Sequence, residues 1–390
     1  MTNRIYLDWN ATAPLRREAR DAMAAALDLA GNPSSIHAEG RAARQLIERA
    51  REQVATLVGA DSKLVTFTSG GTEANNLALT PAVQTGDQKT LRDRLLVSAI
   101  EHVSVRAGGR FVVDAVEEIP VTTAGTVDCA ALARRLAALA PQRALVSAML
   151  ANNETGVIQP ISEVAAAAHE SGALLHVDAV QAAGRVSCNI NELCADLLTI
   201  SAHKLGGPKG VGALIRRNET LHLLHPLIRG GGQERGLRGG TENVAAIAGF
   251  GAAAEAGRLA LETDGLRMTA LRERLEAKLK AVTTKAIIFG EGAGRVPNTT
   301  LVAVPGMKAE TAVIALDLAG FAVSSGAACS SGKVQPSHVL AAMGASPELA
   351  RGGVRISLGR TTTQSEIDCF VDAWIKVAEA LLKETRGLAA

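Results

Sequence analysis

Six short runs rich in aliphatic residues recur along the first part of the chain, and what separates them sets the fold. The runs fall at 64–67, 95–98, 144–149, 173–177, 196–201 and 211–215, and several have no polar face. A strand that is apolar on both sides must be covered on both sides. The stretches between the runs read as amphipathic helices. Between positions 40 and 59, Leu46, Ile47, Ala50, Val54, Leu57 and Val58 share one helical face, with Arg and Glu elsewhere. Such alternation implies an α/β architecture, a mostly parallel sheet wrapped by helices. A chain of 390 residues is also long enough for more than one hydrophobic core. A charged helical stretch at 261–282 looks like a connector, and beyond it the pattern restarts, with strands at 287–289, 299–304 and 354–358 and a helix at 310–318. We therefore expect a large domain over 15–260 and a smaller α+β domain over 261–390, joined by residues 1–14.

Two charged residues stand at the ends of these runs. Asp178 closes one in LLHVDAVQ, and Lys204 follows another in SAHKLGGPKG, flanked by Ser201 and His203 and followed by Gly206, Gly207 and Gly210. Either residue alone reads equally well as a cap or a solvated charge. As a pair they suit pyridoxal phosphate. That cofactor takes a lysine held at a strand end, partly desolvated and near an anion site, as its Schiff-base partner. It also takes a carboxylate on its ring nitrogen, which keeps the ring protonated as an electron sink.

Other segments fit the same picture, each with a plainer alternative. TSGGTEANN, residues 68–76, follows the first run and reads as a phosphate cup, with a helix from Glu73 onward, or as a simple strand-to-helix turn. His102 is either a structural residue or an imidazole placed on the cofactor ring to exchange protons. ANNETG, residues 151–156, is a turn or a polar wall for cofactor and substrate. The stretch 230–243, GGGQERGLRGGTEN, is too rich in glycine for a regular element and reads as a loop that meets an anion or a second subunit. Cys329 lies among small residues in VSSGAACSSGK, which cannot bury it deeply, so an accessible and reactive thiol is expected. In VRISLGR, Arg355 or Arg360 could clamp a carboxylate, and Arg355 could equally be a surface residue of an edge strand.

Composition removes several classes of function. The 41 basic and 39 acidic side chains nearly cancel, and aromatics make up only 2% of the chain, which argues against direct nucleic-acid binding. Five cysteines at irregular spacing suggest neither a disulfide framework nor a metal site. No leader-like segment opens the chain and no run of eighteen apolar residues occurs, so a cytoplasmic protein without a membrane span is expected.

Ten segments together resemble the group I cysteine desulfurases, the NifS/IscS-like branch of the fold-type I pyridoxal-phosphate enzymes. They are YLDWNATAP, GNPSSIHAEG, SGGTEANN, AIEHVSV, NNETG, HVDAVQ, SAHKLGGPKG, RGGGQERGLRGGTEN, SSGAACSSGK and VRISLGR, in this order and over nearly the whole chain. Two positions depart from the pattern: Trp9 stands where the family has a smaller polar residue, and Ala327 where it commonly has serine. We expect Trp9 to bear on the substrate entrance.

The resemblance implies a role for each matching position. Lys204 would hold pyridoxal 5'-phosphate and shuttle protons. Asp178 would pair with the ring nitrogen, Gln181 with the phenolic oxygen, and His102 would stack on the ring beside Asn153. Gly71, Thr72, Ser201 and His203 would hold the phosphate, with Thr241 from the other subunit of a homodimer. Asn32 and Arg355 would place the carboxylate of L-cysteine, and Cys329 would take its sulfur as a persulfide, releasing L-alanine. A sulfur-acceptor protein such as an iron–sulfur scaffold would follow. A selenocysteine lyase, another β-eliminating lyase and a catalytically silent scaffold are the alternatives.

Overall fold

The computed structural model describes residues 4–86, 91–140, 143–326 and 336–387. Its centre is a seven-stranded sheet formed by β1 (Val65–Thr68), β2 (Arg94–Ser98), β3 (Val116–Ile119), β4 (Ala144–Met149), β5 (Leu174–Asp178), β6 (Leu197–Ser201) and β7 (Gly212–Arg216), in the spatial order β1-β7-β6-β5-β4-β2-β3. All neighbours are parallel except at β7, which runs antiparallel to both β1 and β6. The six apolar runs are six of these strands. The edge strand β3, with sequence VEEI, has a polar middle, so no apolar run marks it.

Alternate side chains of the interior strands feed two separate cores, as a period of two requires. Leu96, Val146, Leu175, Leu198 and Ile215 pack on one face with Ile47, Val54 and Phe250. These last three come from the helices Ala38–Leu57 and Val244–Leu259, which pack against each other. Leu95, Val97, Leu145, Leu174, Leu197 and Leu214 pack on the other face with Leu77 and Leu79. Burial on both faces is why several of these strands carry no polar side.

The parallel strands end together. Met149 pairs with Asp178, Asp178 with Thr199, and Ser201 with Gly212, which also pairs with Thr68. The carboxyl ends of β1, β4, β5 and β6 thus form one rim, where ligands of open α/β sheets bind. Gly212 permits the approach: a Cβ there would sit 2.6 Å from the carbonyl carbon of Gly70.

A second sheet, antiparallel throughout, runs Ile287–Ile288, Thr299–Ala303, Val354–Ser357, Ser324–Ser325. Its core joins Val302, Ile356 and Leu316 to Phe370 and Trp374 of the last helix and to Leu275 and Leu279 of the helix Leu261–Val282. That helix is therefore more than a connector, since one side of it closes a core. Leu7 is fully buried in the same cluster, and Ile5–Tyr6 pairs in parallel with Phe321–Ala322.

Candidate active site

At the rim of the large sheet lies a cavity of about 260 Å³, and nine of the predicted residues line it: Gly71, Thr72, His102, Asn153, Asp178, Gln181, Ser201, His203 and Lys204. Lys204 sits in the single turn Ala202–Lys204 directly after β6. Its Nζ donates to the carbonyls of Asn10 at 2.6 Å and Ala11 at 2.9 Å, which the amino-terminal segment brings across the sheet rim. Burial, with help from the nearby Arg355 and Arg185 guanidinium groups, holds its amine down at about pKa 7. A large share of Lys204 is therefore a neutral amine at neutral pH, the form able to attack a carbonyl carbon.

Asp178 is the last residue of β5 and almost fully buried. Its Oδ1 accepts from the Val180 amide and its Oδ2 from Asn75 Nδ2, each at 2.9 Å. The same Asn75 amide donates to Ser104 Oγ at 2.9 Å, and Ser104 Oγ lies 2.8 Å from His102 Nδ1. The Ser104 amide donates to that nitrogen too, so Nδ1 is an acceptor and the neutral ring carries its proton on Nε2. Burial first, and Lys204 after it, lower the His102 pKa against the opposing pull of Asp178. The imidazole is thus neutral, oriented, and linked through Ser104 and Asn75 to Asp178.

The helix Gly71–Ala78 begins two residues earlier than expected, at Gly71 rather than Glu73. Glycine is needed there by its surroundings, since a Cβ would lie 2.9 Å from Val180 Cγ2 and 3.4 Å from Ser201 Cβ. A second, more open cavity shares Gly71, Thr72, Ser201 and His203 with the first. Helix N-terminal amides, two hydroxyls and an imidazole therefore meet where the two cavities join, a donor set that suits a phosphate dianion. His203 is pushed down to about pKa 4 by burial and by Lys204, Lys209 and Arg185, so it is neutral there. Of these two cavities Lys209 lines the outer and Lys204 the inner, which separates the roles of the two lysines in this segment.

Gln181 donates to the Asn10 carbonyl at 3.0 Å, and its own side-chain oxygen accepts from Arg185. Arg185 also reaches the carbonyls of Gln181, Trp9 and Lys204, and burial lowers it to about pKa 9. Neither Arg185, Asn10, Asn75 nor Ser104 was legible as a site residue beforehand. Asn10, Asn75 and Ser104 stand within the segments already singled out, whereas Arg185 stands outside them, and both Asn10 and Arg185 reach Lys204 only through the fold.

Three predicted residues lie off the cavity wall. Asn32 is exposed and caps a local turn by accepting from the Ser34 amide, and Thr241 is exposed in the loop that follows Gln233–Gly236. Arg355 is buried in an interior strand and is no surface residue. Its guanidinium pairs with Asp8 at 2.8 Å and donates to the Asn153 carbonyl at 2.9 Å, while its Nε is buried without a partner. Cys329 and Ala327 lie outside the described residues. Trp9 does not line the cofactor-sized cavity. It is buried against Gly359, donates to the Tyr6 carbonyl, and borders a smaller cavity that also touches Lys204.

The aminotransferase class-V family matches residues 5–370. A cysteine desulfurase of Cereibacter sphaeroides is 44% identical over 97% of this chain and 96% of its own length, and the cysteine desulfurase IscS of Dictyoglomus turgidum is 41% identical over 98% and 96%. Among solved structures, a NifS-like protein from Rickettsia africae superposes with a TM-score of 0.86 at 37% identity, over 97% of this chain and all of that one. The chain belongs to the class-V aminotransferases, which are pyridoxal-phosphate-dependent enzymes.

The residues present fit that cofactor. The Gly71 cradle leaves no room for a side chain beside the phosphate cup, Lys204 offers a neutral amine, and the buried Asp178 carboxylate faces the same cavity.

Proposed function

We propose that this protein is a cysteine desulfurase, which takes the sulfur of L-cysteine onto Cys329 and releases L-alanine. The observation that carries this reading is the pairing of a desolvated Lys204 with the buried Asp178 carboxylate on one cavity wall, next to a donor-rich cup. Pyridoxal phosphate, when bound, supplies an electron sink conjugated to the substrate's α-carbon.

The chain's own residues do the rest. Lys204 holds the cofactor and, near its pKa, both takes and returns the α-proton. Asp178 holds a proton on the ring nitrogen, and the Asn75 and Val180 contacts fix the direction in which that carboxylate points. With the cofactor bound, Gly71, Thr72, Ser201 and His203 would hold the phosphate, and Gln181 would hold the phenolic oxygen. Asn153 and the neutral imidazole of His102 would contact the ring. Arg355, with Asn32, receives the substrate carboxylate, its guanidinium oriented by Asp8 and the Asn153 carbonyl. The Cys329 thiolate attacks the substrate sulfur. An S–S bond forms, the Cβ–S bond breaks, and its electron pair stays on Cβ, which takes up a proton to give alanine.

The wider reading is of a cytoplasmic homodimer. Thr241 of each subunit completes the other's phosphate site, and the persulfide passes to an acceptor such as an iron–sulfur scaffold. The exposed Val103, Val112 and Val113 in the segment after His102 support an interface there. Product analysis tests the activity. L-Alanine in step with protein-bound sulfane sulfur is expected from L-cysteine; pyruvate and ammonia in their place would mark a β-eliminating lyase, turnover confined to selenocysteine a selenocysteine lyase, and a colourless protein without turnover a silent scaffold.

A further inference from the structure

Residues 324–326 and 336–338 stand on either side of the stretch that carries Cys329, and both flanks touch residues next to the wall of the cavity. On the carboxyl side, Ser337 Oγ donates to Glu154 Oε2 at 2.6 Å while accepting from the Leu340 amide, so one hydroxyl caps the helix His338–Ala342 and binds a carboxylate. Its neighbour His338 contacts the Glu101 carbonyl through Nε2 at 3.0 Å. On the amino side, Gly326 packs against the same carboxylate: a Cβ there would lie 2.9 Å from Glu154 Oε2 and 3.2 Å from Leu301 Cδ1. Glu154 follows Asn153 and Glu101 precedes His102, and both of those residues line the cavity.

A buried carboxylate is an expensive way to fill space, and an aliphatic side chain would be cheaper to bury. Glu154 is only 2% exposed, and the nearby Arg355 is already paired with Asp8. Its strongest described contact is the one to Ser337.

We propose that Glu154 is the positioning residue that ties the carboxyl flank of the Cys329 segment to the residues behind the cofactor cavity and packs against that segment's amino flank. This deepens the desulfurase reading and rests on it in one respect, that Cys329 accepts the sulfur. Burial raises Glu154 to about pKa 7 against the lowering effects of the Ser337 hydroxyl and of Arg355 in the strand Val354–Ser357. The anion, held above that pH, is the stronger acceptor for Ser337.

Single-turnover persulfide formation on Cys329, followed by mass spectrometry, is compared in the wild type, Glu154→Ala, Ser337→Ala and the double variant. Loss of a charge-assisted contact slows it about tenfold to hundredfold, and the double variant is no slower than the slower single one. Glu154→Gln keeps the shape but not the charge. It removes the contribution of Glu154 to the pH dependence of the wild-type rate near 7, while those of Lys204 and of the thiol remain. Cofactor occupancy stays at the wild-type level in all four.

A second measurement does not depend on turnover: iodoacetamide alkylates Cys329 of the loaded, substrate-free protein at a changed rate in both alanine variants, read by peptide mapping. Unchanged persulfide and alkylation rates overturn the proposal. So does cofactor loss in proportion to the lost rate, because Glu154 would then serve the cavity and not the segment. A wild type that forms no persulfide, with alkylation still altered in the variants, would sink the desulfurase reading and leave the anchor standing.

Discussion

The amine of Lys204 is the group whose ionisation the surroundings alter most usefully, and it can be titrated directly. Burial and two guanidinium groups move it from an ordinary value of 10.5 to about 7. At pH 8 about 90% of such an amine is neutral, against about 0.3% of an ordinary lysine. The rate at which cofactor-free protein captures pyridoxal phosphate, trapped by borohydride and mapped to a peptide, should therefore level off above about pH 8 with a midpoint near 7. Arg355→Gln should raise that midpoint without restoring 10.5, because burial is the larger cause. The same shift bears on stability. Below 7 both folded and unfolded chains hold the proton, and above 10.5 neither does. Between these values only the unfolded chain binds it, so the cofactor-free fold loses about 5 kcal/mol from this group as pH falls from 10.5 to 7. Lys204→Met should flatten that slope in denaturant titrations. A capture rate still climbing at pH 10, or a label found on Lys209, would refute the reasoning.

Two further outcomes follow from particular contacts. Thr241→Ala should weaken cofactor retention, and dilution that separates the subunits should do the same in the wild type; a monomer that keeps its cofactor as tightly, by sedimentation and absorbance, would contradict the shared site. Gly359→Ala should destabilise the fold by about 1–3 kcal/mol in denaturant unfolding, because a Cβ there would fall 1.8 Å from the Trp9 indole, and the same substitution should cost little further in a Trp9→Ser chain, where the indole is gone.

The strands that carry the site were legible because burial on both faces forces them to be apolar, and Lys204 and Asp178 stand out at their ends. The edge strand Val116–Ile119 was not, since covering one side only leaves room for its two glutamates. The helix start at Gly71 was placed late because its first residues serve the phosphate cup and look like a turn. Asn10 and Arg185 escaped for another reason. They meet Lys204 through backbone carbonyls, its amine donating to that of Asn10 and the Arg185 guanidinium donating to that of Lys204, and no local pattern announces such a meeting. Trp9 was expected at an entrance, but Gly359 makes a pocket for it, and that complementarity exists only in three dimensions.

The account turns on Cys329, and Cys329→Ser tests it most directly. The substitution removes the sulfur nucleophile and leaves Lys204, Asp178 and the phosphate cup intact. A hydroxyl does not ionise near neutral pH, whereas a thiol with pKa about 8.5 is already partly thiolate there. The variant should keep its yellow colour and its spectral response to L-cysteine, yet release no alanine and carry no persulfide. Alanine formed from L-cysteine at the wild-type rate by Cys329→Ser would contradict the account and leave a β-eliminating or selenocysteine-specific lyase in its place.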